Sequence, residues 1–146
     1  MRDDRRMTTS MFVLCASLTA QPPHAGAAMG FDQTTTTHHF ALKPDGGVIQ
    51  VEVNDPGDAR SREAIRRHLK MIAREFSEGV FEKPFQTHGE MPPGVPTLQR
   101  LKASITYVYE EVERGGLVRI TTADREALEA VHAFLRYQIK EHKNGT

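Results

Sequence analysis

Two Gly-Gly pairs, Gly46-Gly47 and Gly115-Gly116, each sit between runs of alternating apolar residues. In "THHFALKPDGGVIQVEV" the turn is Pro44-Asp45-Gly46-Gly47; in "SITYVYEEVERGGLVRITT" it is built on Gly115-Gly116. Glycine pairs at such a place favour a tight hairpin, since they allow backbone angles that side chains resist. Matching the two pairs puts Ile49 and Val51 on Val118 and Ile120, Phe40 on Tyr109, and His38 on Tyr107.

A helical pattern follows each hairpin. "DARSREAIRRHLKMIAREF" carries Ile65, Leu69, Ile72 and Phe76 on one stripe, and "ADREALEAVHAFLRYQIKEH" carries Leu128, Val131, Leu135 and Ile139. Ala64, Ile65, Leu69 and Glu75 then match Ala130, Val131, Leu135 and Glu141. The order is ββαββα, in units of about residues 34–77 and 104–143, by duplication or by convergence of pattern. It predicts an α+β, two-layer fold: an antiparallel sheet with both helices on one face and one helix covering each hairpin. Between the units, residues 77–97 are rich in proline and glycine. They read as a connection draped over the sheet, a lid or a binding loop, leading into a helical turn at Leu98–Lys102.

Residues 1–28 have another character. A short basic start, the apolar run Met11–Ala20 and the small residues Ala25-Gly26-Ala27 make the layout of a cleaved secretory signal, and the run is too short to span a bilayer. The expected product is a soluble periplasmic domain over residues 29–146, long enough for one modest core. Cys15, the only cysteine, would leave with the signal, and thiolate chemistry with it. Nineteen basic and nineteen acidic residues balance, so net charge points to neither nucleic acid nor an anionic membrane.

The histidines carry what chemistry remains. Strand alternation turns His38 inward with Phe40 and Leu42, and His39 outward. His68 borders the first helical stripe, His132 lies in or beside the second, and His142 is further along. No His-x3-His pair occurs, so a metal site has to be assembled from several elements. His38, His132 and His88 or Met91 are its candidates, with His68 in reserve. Imidazole with thioether suits Cu(I), while imidazoles with a carboxylate such as Glu90 suit Zn(II) or Cu(II). Haem needs an axial histidine, and the sequence has no Cys-x-x-Cys-His attachment motif. The alternative is a hydrogen-bonded core histidine, with Tyr107 or Tyr109 as partner for His38.

Asp55, Asp58, Asp124 and Glu126 fit turns and helix starts. Arg60, Arg62, Arg66, Arg67, Lys70 and Arg74 form either a solvated helix face or a partner surface. There is no nucleophile elbow, P-loop or dinucleotide fingerprint. A histidine-dependent hydrolase or lyase would need a base held by a carboxylate, and no such pair stands out.

"TTTTHHFALKPDGGVIQVEVND", "REAIRRHL" and "VHAFLRYQIKEH" resemble small exported bacterial proteins of uncharacterised function, over Met29–Thr146. Some of these carry the label aspartate carbamoyltransferase. That enzyme family is about twice as long and uses a Ser-Thr-Arg-Thr phosphate loop and a His-Pro-x-Gln motif, neither of which is present. The resemblance implies an exported unit and no reaction. The expected function is a periplasmic binding or accessory protein that takes copper or another transition metal through His and Met. A metal-free interaction module using the open sheet face or the arginine-rich helix is the alternative.

Overall fold

The computed structural model describes residues 30–84 and 89–144. Its elements are β1 (Thr36–Lys43), β2 (Gly46–Val53), α1 (Ala59–Ser77), α2 (Val95–Arg100), β3 (Ile105–Val112), β4 (Gly115–Thr122) and α3 (Arg125–Asn144). The four strands form one antiparallel sheet in the order β1-β2-β4-β3. The chain is thus the α+β fold expected from its pattern. The expected leader with its cleavage site, and Cys15, lie outside the described residues. Among those described, no helix is long and apolar enough to cross a membrane.

A local two-fold relates the units. Ile49 and Val118, which match in the repeat, also face each other across the β2–β4 ladder, so the axis passes between them. Gly46 opposite Thr121 is mirrored by Gly115 opposite Glu52. The strand exits match as well. Val53 donates its N–H to Arg114 O at 2.9 Å, and Thr122 donates its N–H to Asp45 O at 2.9 Å.

Those exits decide where the helices go. The chain leaves β2 beside the β3–β4 turn, so α1 begins there and lies mainly across β4 and β3. It leaves β4 beside the β1–β2 turn, and α3 lies mainly across β1 and β2. One helix thus covers each hairpin, as expected, but the helix and the hairpin come from different units. Each helix chiefly covers the other unit's hairpin, because the two inner strands run antiparallel and end at opposite turns. Asp58 and Asp124 open the helices in the same way: their carboxylates accept from Ser61 N–H at 3.0 Å and Ala127 N–H at 2.9 Å.

Ile65, Leu69, Phe76, Val131, Phe134 and Leu135 are buried against Val51, Val53, Val118 and Ile120. Each contributes about 1.5–3 kcal/mol of apolar burial. On α3 the buried stripe is rotated from the expected one. Ala127, Ala130, Phe134 and Gln138 are buried, whereas Leu128 and Ile139 are half-buried. Small side chains on that stripe let α2 approach closely. Gly94 at its start has φ 84°, and a Cβ there would lie 2.5 Å from Ala130 O.

Candidate functional site

The two-fold makes the halves comparable residue by residue, and it first settles His132. Its Nε2 lies 2.8 Å from Lys43 O and 3.0 Å from Gly46 O. Both partners are acceptors, so Nε2 carries the hydrogen and donates to the β1–β2 turn. The equivalent residue is Arg66, whose Nε and Nη2 donate to Gly115 O at 3.0 Å and Val112 O at 2.9 Å. Each side chain closes the turn that its helix crosses. His132→Ala should therefore destabilise the chain by about 1–2 kcal/mol in urea melts, and His132→Arg should restore much of the loss. An alanine variant with unchanged stability would contradict this role.

The expected meeting of His38 and His132 does not occur. At about 3.3 Å rise per residue, His38 stands roughly 16 Å along β1 from Lys43 and the His132 contact. Met91 is 48 % exposed. Glu90 accepts a 2.5 Å hydrogen bond from the Tyr137 hydroxyl, which ties the connecting loop to α3. His88 lies outside the described residues. His39 is exposed, as alternation requires.

His38 meets two other histidines instead. Its ring stacks on His142 with centroids 4.7 Å apart and planes at 21°. Phe40 packs on His142 at 4.9 Å, and Phe31 touches both His38 at 6.0 Å and His68 at 5.6 Å. His38, His68 and His142 line one cavity of about 70 Å³, walled by Ile49, Val51, Leu69, Ile72, Phe76 and Phe134. A groove of about 390 Å³, lined by His38, His39, Phe40, Ile139 and His142, adjoins it. The rings of His38, Phe40 and His142 belong to both spaces and form the partition between them.

The electrostatics follow from burial. Desolvation, followed by the neighbouring His142, His68 and His39, pushes the His38 pKa down to about 3. Desolvation and the Lys83 ammonium push His68 down to about 4. Both rings are uncharged near neutrality. Lys83 is itself held by Glu75 at 2.9 and 3.0 Å, so its charge is already matched. Among the described residues, His38 Nε2 is buried and has no hydrogen-bond partner. The expected alternative, a bond to Tyr107 or Tyr109, is ruled out by topology: β1 and β3 are opposite edges of the sheet. The Tyr107 and Tyr109 hydroxyls, too, are buried without partners among the described residues.

The two-fold shows what is unusual here. His38, His68 and His142 correspond to Tyr107, Phe134 and Phe76. Phe76 meets Tyr107 edge-on at 5.9 Å and Phe134 edge-on at 5.8 Å within the core. Aromatic rings thus stand at these positions in one half and imidazoles in the other, and Phe76 and Phe134 also wall the histidine cavity. His142 was not among the expected site residues, because it lies near a helix end. Its match to Phe76, a core residue, was the available signal. Among the described residues, no three His, Asp or Glu side chains are placed to hold one ion. Glu63, Glu111 and Val112 surround Arg66, so that member of the basic cluster is engaged within the fold.

No family model, curated protein or solved structure matches the chain.

Proposed function

We propose that this chain is a binding protein whose ligand site is the cavity lined by His38, His68 and His142, and that it works after export to the periplasm. One observation carries the reading: three imidazoles occupy positions where the related half packs Tyr107, Phe134 and Phe76. His38 Nε2, buried without a hydrogen bond among the described residues, carries a desolvation cost. Residues kept at a cost to stability mark a place where another demand acts. The N-terminal leader layout supports export.

The test is a variant carrying His38→Phe, His68→Phe and His142→Phe. If the histidines serve binding, this chain should fold and gain about 1–3 kcal/mol over the wild type. Both proteins, recovered from the periplasmic fraction with the leader removed, would be compared by native mass spectrometry. The wild type should retain a small molecule or ion that the variant lacks. A less stable variant with the same mass profile as the wild type would sink the proposal.

A transition metal is the second reading. The uncharged His38 and His68 rings favour it, because metal binding requires a free nitrogen lone pair. The stacked His38–His142 pair weighs against it, since parallel rings do not aim two nitrogens at one ion. Titration with Cu(I) and Zn(II) decides the matter. Saturable uptake by the wild type, absent from the phenylalanine variant, would place metal first.

A further inference from the structure

The geometry points to an uncharged planar ring bearing one hydroxyl or ring-nitrogen group as the ligand of the histidine cavity, an inference that rests on the reading of this cavity as the binding site. The shape of the partition comes first. His38 lies at 25° to Phe31, 18° to Phe40 and 21° to His142, with centroids 4.7–6.3 Å apart. Of these rings, His38, Phe40 and His142 line both the groove and the inner cavity, so near-parallel ring surfaces bound each space. Flat rings pack on such a wall by offset stacking, which a puckered ring of equal size cannot match.

The polar group of the ligand follows from the one nitrogen left over. His38 Nε2 is buried and unpartnered, and a neutral imidazole nitrogen can pair with either a hydroxyl or a ring nitrogen. A ligand without such a group would leave it unsatisfied, which is the larger loss in an apolar site. Charge is disfavoured by the surroundings. Lys83 at the rim is already paired with Glu75, and the other walls are mostly apolar. A carboxylate entering there would lose hydration without gaining a free cation.

Size sets the pose. The inner cavity of about 70 Å³ is roughly half the 150 Å³ known to hold benzene in an engineered protein core. A single ring therefore enters edge-first, and the remainder stays in the groove of about 390 Å³. The ligand straddles the partition.

Four probes of similar size separate the requirements: phenol, cyclohexanol, toluene and benzoate. Each would be titrated into the purified wild-type chain, labelled with carbon-13 in its histidine rings and followed by NMR. Phenol should shift the His38 ring signal and bind at least about tenfold tighter than the other three. In a His38→Phe chain, phenol should lose its advantage over toluene. The wild-type ranking stands as a test even if that variant fails to fold. Equal binding of phenol and cyclohexanol would overturn the ring class and leave the cavity as the site. Binding of none of the four would also overturn it. The fate of the site would then be read from the melting comparison of the triple phenylalanine variant, which uses no probe.

Discussion

Gly46→Ala is expected to destabilise the chain by about 3–5 kcal/mol, enough to unfold much of it in mild urea. Two independent penalties act there. The residue has φ 153°, a backbone conformation L side chains rarely adopt, and a Cβ would sit 1.9 Å from the Ile120 carbonyl oxygen. That oxygen belongs to the neighbouring inner strand and cannot swing aside as a side chain can. Relief therefore requires β2 and β4 to part where the sheet's two halves join. Gly115→Ala isolates the steric part, because a Cβ there would lie 2.1 Å from Val51 O while no left-handed angle is involved. Its expected loss is smaller, about 2–3 kcal/mol. Gly57→Ala is the control: its nearest obstacle is the Asp55 side chain at 3.3 Å, and a change within about 1 kcal/mol is expected. Urea midpoints of the three variants give the order. A Gly46 variant as stable as the Gly57 variant would show that the β2–β4 junction tolerates separation.

Acid should weaken the fold well above the range where carboxylates protonate. The folded state holds His38 and His68 neutral, with pKa values pushed to about 3 and about 4 from an ordinary 6.5. Below pH 6.5 the unfolded chain therefore binds more protons than the folded one. The stability these rings permit is complete above that pH and declines as pH falls. The decline continues to about 4 for His68 and about 3 for His38. Each ring can contribute up to about 1.4 kcal/mol per pH unit inside its window, and less for His38, which is partly open to solvent. Two further groups, Asp32 and Asp58, have carboxyls held below the ordinary 3.8 by hydrogen bonds from Thr34 and Ser61. Their loss begins only near pH 4, so the window from pH 6.5 to 4.5 belongs to the histidines. Urea midpoints should fall steadily across it in the wild type and stay nearly flat in the triple phenylalanine variant. Equal slopes in the two chains would exclude these rings as the acid-sensitive element.

Much of the fold was legible because local chemistry and tertiary structure agree. The Gly-Gly turns, the alternation around them and the helical stripes led to the antiparallel sheet and its two main helices. The exchange of helices between hairpins was not legible. It depends on which turn lies beside the end of β2, and that is a matter of strand pairing rather than period. The site was legible in part. Alternation put His38 inward, and His68 was held in reserve at the edge of its stripe. His132 misled because its helical position suggests a cavity, whereas its counterpart Arg66 reveals a turn clamp. His142 lies in the last turn of its helix, where period says little, although the repeat pairs it with the core ring Phe76.

The pseudo-symmetry has a consequence for how a cavity can exist here at all. A ββα chain that paired with a second copy of itself would have two equivalent chambers, and any hollow made in one would be made in the other. Both halves of such a dimer would bear the destabilisation, and neither could serve as ballast. Joining the copies into one polypeptide removes that coupling. The positions of Phe76, Tyr107 and Phe134 can then hold core rings, while the matching positions hold His142, His38 and His68 and are free to take on another use. The asymmetry between the two sets of positions is open to the fused chain and closed to a symmetric dimer of identical copies.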